Sequence, residues 1–179
     1  MTDAVAYRER VHACLAALGV PPALIERRAL PMQVEAAELE IVCVAPDGRE
    51  HRLAPVAARA WRALQAAAAA DGIGLTIVSA FRSLERQADI VRGKIAAGLS
   101  PEAIFRASAP PGYSEHHTGR AIDLTTSHVA PLEEEFERTA AFSWLCARAA
   151  SFGFTLSYPR DNAQGFMYEP WHWYYGERG

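Results

Sequence analysis

Strand-like and helix-like runs follow one another in this chain without the regular strand–helix–strand rhythm of a parallel sheet, and that ordering most narrows the folds open to it. Leu39 to Ala45 (LEIVCVA) is a β-type run, Pro46-Asp47-Gly48 is a turn signal, and a hairpin partner is expected near Glu50 to Leu53. Pro55 suits a first helical position. Val56, Ala57, Trp61, Leu64 and Ala68 then recur at helical spacing until Asp71-Gly72. Leu75 to Ser79 reads as a short buried strand. Ser83 can cap a helix with the apolar stripe Leu84, Ala88, Val91 and Ile95, closed by Gly98. Arg120 to Thr125 reads as a strand, and Thr139 can cap a helix carrying Phe142, Leu145, Ala149 and Phe152, with Gly153 past its end. Phe154 to Tyr158 and Trp171 to Tyr175 are the final strands, and Ala4 to Leu18 is a first helix closed by Gly19 and Pro21-Pro22. The expected class is α+β, with an antiparallel sheet flanked by helices.

With no internal repeat and no linker, 179 residues suit a single domain with its own core. A net charge of -3 gives no support to nucleic-acid binding, which calls for clustered Lys and Arg. Arginine carries nearly all the positive charge, because Lys94 is the only lysine. Cys14, Cys43 and Cys146 are far apart and sit among apolar residues, so buried free thiols are expected. No apolar run approaches the ~20 residues of a membrane span. Met1 to Val20 carries Asp3, Arg8, Glu9 and Arg10 and reads as an amphipathic helix, not a secretory signal. The expectation is a cytoplasmic chain, or a periplasmic or cell-wall one if a leader has been removed.

Two segments look built for something other than packing: Pro111 to Asp123 (PGYSEHHTGRAID) and Tyr168 to Trp173 (YEPWHW). Strand alternation sends Ile122 and Leu124 to the core and leaves Asp123 on the other face. Gly119 lets the chain turn so that His116 can approach Asp123. Two neutral imidazoles and a carboxylate make a sound zinc set, with a fourth position left for water. Glu169 and His172 are three apart, which on a regular strand would point them to opposite faces. Pro170 breaks the ladder and allows a bend that turns both side chains to one metal. Glu169 could then act as a general base, and the aromatic residues around it would exclude water.

These residues also carry a resemblance. Ser114-x-His116-x-x-Gly119-x-Ala121-x-Asp123 followed by Glu169-x-x-His172 is similar to the signature of the LAS zinc metallopeptidases, and PGYSEHHTGRAIDL, FGFTLSYP and YEPWHWYY resemble its VanY-like branch. The resemblance runs from about Leu75 to Tyr175. It implies a hedgehog/DD-peptidase-like fold, with residues 71–176 as catalytic core and residues 1–70 as an N-terminal, largely helical part. It implies Zn2+ held by His116, Asp123 and His172, with Glu169 as base. In Ser79 to Gln87 it implies Arg82 as the oxyanion stabiliser and Gln87 as a substrate contact, with Ser114 binding the substrate backbone. The implied activity is hydrolysis at the D-Ala-D-Ala end of peptidoglycan stem peptides. L,D-carboxypeptidase or stem-peptide endopeptidase action, and a zinc-dependent binding module without catalysis, are the alternatives.

His117 stands where close VanY-like sequences often have glutamine, and reads as a residue behind or at the rim of the site. His12, His51 and His128 read as structural, Glu133 to Glu135 as a solvated face, and Trp144 as core. Arg82 has a competing reading as an ion-pair partner of Glu85.

Overall fold

The computed structural model of the protein describes residues 2–176. Helix α1 (Thr2–Ala17) and the short α2 (Pro22–Arg27) lead into a hairpin of β1 (Glu40–Val44) and β2 (Glu50–Leu53). Then follow α3 (Pro55–Ala70), β3 (Thr76–Ser79), α4 (Leu84–Ala96), α5 (Pro101–Ala107) and β4 (Ala121–Thr125). Helix α6 (Ala140–Arg148), β5 (Phe154–Leu156) and β6 (His172–Tyr175) complete the chain. The second sheet has the order β3-β4-β6-β5, and every neighbouring pair in it is antiparallel. The mixed class with antiparallel sheets is therefore the observed one.

Ile122 and Leu124 point from β4 into a core with Trp61 and Leu64 of α3, Leu145 of α6 and Trp173 of β6. Each fully buried side chain of this size contributes about 1.5–3 kcal/mol relative to exposure. That burial fixes the register, because a slip of one residue would exchange the two faces of β4. The register pairs Ile122 with Trp173 and Asp123 with His172, so one core contact aligns two polar side chains on the opposite face. A second apolar cluster joins Tyr7, Val11 and Leu15 of α1 to Leu84 and Val91 of α4 and to Ile104 and Phe105 of α5. The spacing of Tyr7, Val11 and Leu15 is one helical face, as expected of an amphipathic first helix.

The N-terminal third also braces the segment that carries the histidine pair. Backbone N–H groups of Gln33, Ala36 and Ala54 donate to the carbonyls of Gly112, His117 and Gly119, each at 2.8 Å. Gly119 has φ +64, and a Cβ there would lie 2.8 Å from the Ala54 nitrogen, so only glycine fits this turn.

Several local expectations need correction. Helices α2 and α5 were not anticipated, although Pro22 and Pro101 occupy their first turns and the Ser100 side chain caps α5. Strand β5 ends at Leu156 and not at Tyr158, because Tyr158 leaves the sheet to pack against the His172 ring at 4.7 Å. Glu133, Glu134 and Glu135 are exposed as expected, but the 3-10 turn Glu134–Arg138 that follows buries Phe136. The cysteines are free, yet Cys146 is exposed and Cys14 and Cys43 only half-buried. Trp144 is half-buried and donates its Nε1–H to Asp71 at 2.7 Å.

Candidate active site

Asp123 and His172 face each other across β4 and β6, and His116 reaches them from the 3-10 turn Glu115–Thr118. All three are buried, and one ligand atom from each lies within 4.8 Å of the others. The His116 Nδ1–H donates to the Ala80 carbonyl at 2.6 Å, which leaves Nε2 with a lone pair. That Nε2 sits 3.1 Å from Asp123 Oδ2 without hydrogen-bond geometry and has no other partner among the described residues. Burial, helped by the Arg82 charge, pulls His116 down to about 4, so at neutral pH two lone pairs face one another.

His172 repeats the pattern. Its Nε2 is 2.9 Å from Glu115 Oε2 and its Nδ1 is 2.9 Å from Asp123 Oδ1. With the Nε2–H donated to Glu115, Nδ1 and the Asp123 oxygen need a cation between them. Burial acts against charge on His172, but the hydrogen bonds to Asp123 and Glu115 outweigh it and drive its proton affinity up. Asp123 is likewise held well below the ordinary carboxylate range, because His116 and His172 outweigh the effect of burial. A proton or a metal ion meets this demand. Two imidazole nitrogens and a carboxylate oxygen are a zinc-type donor set, and the orphaned His116 Nε2 is better answered by a metal than by a proton.

Glu169 closes one side of this cluster. The turn from Glu169 to His172, in which the His172 N–H bonds the Glu169 carbonyl at 3.1 Å, brings Glu169 Oε2 to 3.9 Å from His172 Nδ1. Burial, with Asp123 adding, pushes Glu169 up to about 7 against the pull of His172, Arg82 and Lys94. A carboxyl poised near neutrality beside a metal-type donor set is suited to accepting and returning a proton.

Arg82 lines the same cleft, of about 350 Å³. Its backbone is fixed on both sides: its N–H bonds the His116 carbonyl at 3.2 Å, and its carbonyl accepts from His117 Nδ1–H at 2.6 Å. The side-chain Nε is buried and has no partner among the described residues, and Glu85 pairs with Arg10 instead, at 2.6 Å. His117 is wholly buried and also accepts the Gly112 N–H at 3.0 Å, so it is a brace behind the site and not part of its rim.

Ser114 is buried and lines the cleft. Gln87 is also buried, but it stands behind the cleft wall, where its Nε2 donates to the Ala109 carbonyl at 2.7 Å. Of the remaining histidines, His128 is exposed at φ 70 and His51 is buried in β2. Two residues escaped the sequence reading. Glu115 holds the His172 Nε2–H and also accepts from Ser157 at 2.6 Å. Such a partner fixes which ring nitrogen faces a metal. Its position next to His116 was the available signal. The other is Lys94, which reaches the cleft from α4.

The chain is similar to known proteins in sequence and in fold. A D-alanyl-D-alanine carboxypeptidase of Enterococcus faecalis is 34% identical over 119 residues, covering 61% of this chain and 42% of the relative. The chain spans about two fifths of the length of the curated relatives it matches. Among solved structures, the LD-carboxypeptidase LdcB superposes with a TM-score of 0.71 at 33% identity, covering 81% of this chain and 71% of that one. The D,D-pentapeptidase VanY of a VanB-type resistance cassette, solved in complex with Zn(II), gives 0.63 at 29% identity and 82% coverage of both chains. The family model described as VanY, D-alanyl-D-alanine carboxypeptidase, matches residues 50–178. With most of its length inside that match, and both site segments within it, the chain belongs to the VanY family of D-alanyl-D-alanine carboxypeptidases.

Proposed function

We propose that this protein hydrolyses the terminal peptide bond of peptidoglycan stem peptides ending in D-Ala-D-Ala, with zinc held by His116 Nε2, the Asp123 carboxylate and His172 Nδ1. The observation that carries the reading is the buried triplet of donors in which the His116 Nε2 lone pair stands beside Asp123 without a hydrogen-bond partner among the described residues. When bound, the zinc supplies Lewis acidity to the scissile carbonyl and to the attacking water. Glu169 takes a proton from that water as its oxygen bonds to the carbonyl carbon. Arg82 aims its guanidinium at the negative charge that develops on the carbonyl oxygen. Glu169 then returns the proton to the leaving nitrogen as the C–N bond breaks, so free D-alanine departs with a neutral amine. Ser114 lines the cleft where the substrate backbone would lie, and Gln87 shapes it from behind by holding Ala109. Residues 1–179 act in this reading as one peptidase domain, with residues 71–176 as its core.

The likeness to LdcB favours a second reading, cleavage of the L,D bond of a tetrapeptide. One assay separates the two. Purified protein is given a pentapeptide ending in D-Ala-D-Ala or a tetrapeptide ending in a single D-alanine, and product masses are followed with zinc and after chelation. The expected result is D-alanine release from the pentapeptide that stops on chelation and returns with zinc. Release from the tetrapeptide alone transfers the assignment to L,D cleavage. Release that survives metal removal contradicts both.

A further inference from the structure

In a chain that otherwise uses arginine for positive charge, the single lysine stands in the wall of the cleft. On α4, Ile90 and Lys94 are one turn apart and both face the cleft, with Gln87 on the same side of the helix. Lys94 is half-buried, and its Nζ donates to Ser108 Oγ at 2.6 Å. No carboxylate pairs with it among the described residues, although Glu169 is near enough for each charge to shift the other's proton affinity. An ammonium partly removed from water with one neutral partner is poorly compensated. Two of its protons remain to be given, and Ser108, having accepted one, still has a hydroxyl proton to donate. The Gln87 bond to Ala109 holds the backbone next to Ser108, so both donors sit on a fixed wall.

The shape of the cleft says which carboxylate they meet. A second depression, of about 360 Å³, shares Arg82, Ile90, Asp123 and Leu132 with the first. Arg82 and Asp123 therefore stand where the two arms join, whereas His116, His172, Glu169 and Lys94 line the first arm alone. A peptide with its carbonyl at Arg82 and its acyl part in the far arm would end beside Lys94.

We propose that Lys94 and Ser108 form the subsite for the free α-carboxylate of the leaving residue, and that Lys94 thereby makes the enzyme select chain ends over internal bonds. This rests on the peptidase reading above. Two measurements test it. The first compares kcat/KM for a peptide ending in D-Ala-D-Ala with that for its C-terminal amide, in the natural protein and in Lys94→Met. A charge-assisted contact of this kind corresponds to about 10–100-fold preference for the acid. In Lys94→Met that preference should fall towards one, with the change in KM, and Lys94→Arg should restore part of it. The second measures calorimetric binding of D-alanyl-D-alanine and its amide to zinc-loaded Glu169→Ala protein, with and without Lys94→Met. The acid should bind more tightly only where Lys94 is present. A preference for the acid that persists in Lys94→Met overturns the proposal. So does an equal loss on acid and amide, which would make Lys94 a staple between α4 and Ser108 or a modulator of Glu169. If the natural protein cleaves no peptide, the peptidase reading fails by itself, and the calorimetry still decides for or against Lys94.

Discussion

Glu169→Ala should keep one zinc per chain while its turnover of a D-Ala-D-Ala peptide falls by about 10²–10⁴-fold, the range for losing a general acid–base group. The two halves of that result are separable, because Glu169 lies 3.9 Å from His172 Nδ1 without joining the three-donor cluster. His116 is held by Ala80, Asp123 by the β4–β6 register and His172 by Glu115, so the donor set does not lean on Glu169. Folding should also tolerate the change, since a carboxyl that burial pushes up to about 7 is an electrostatic liability in the native state. Metal analysis beside a D-alanine release assay measures both halves. Loss of zinc from the variant would show that Glu169 is a ligand and that the base lies elsewhere.

Arg82→Ala should also retain zinc, with kcat lower by about 10²–10³-fold, as for loss of one donor to a developing oxyanion. KM should change much less, because the charge that Arg82 meets exists fully only in the transition state. A second signature distinguishes this role from a structural one. Arg82 is among the charges that pull Glu169 down, so its removal should raise the Glu169 pKa and move the acid limb of the pH–rate profile to higher pH. The backbone of residue 82 stays anchored through the His116 carbonyl and the His117 ring, so the loop keeps its place without the guanidinium. A variant with unchanged kcat, or an acid limb that moves to lower pH, would remove Arg82 from the proposed chemistry.

Much of this was legible from residue types and spacing. The hairpin partner at Glu50–Leu53, the Pro55 start of α3, the Ser83 cap of α4 and the Thr139 cap of α6 all stand where local turn and cap chemistry puts them. The turn at Pro170 and the left-handed Gly119 follow from what proline and glycine permit. What was hidden depends on tertiary contact. Nothing in the sequence said that Asp123 would stand opposite His172, since register is set by the packing of Ile122 and Trp173. Glu115 looked like a loop carboxylate until the fold placed it 2.9 Å from His172 Nε2. Gln87, expected as a substrate contact, commits its amide nitrogen to Ala109 and keeps its Oε1 buried without a partner among the described residues. Lys94 sat on the flank of an amphipathic helix and gave no sign of the cleft beyond being the only lysine. Helices α2 and α5 were too short for periodicity to reveal, and only their prolines and the Ser100 cap mark them.

Whether His116, Asp123 and His172 share one zinc ion can be read from crystals of the protein grown with zinc, with diffraction recorded on both sides of the zinc absorption edge. One strong anomalous peak is expected about 2.0–2.2 Å from His116 Nε2, from an Asp123 carboxylate oxygen and from His172 Nδ1. A peak elsewhere, or any of these three side chains turned away from it, would rule out this metal site and the chemistry built on it.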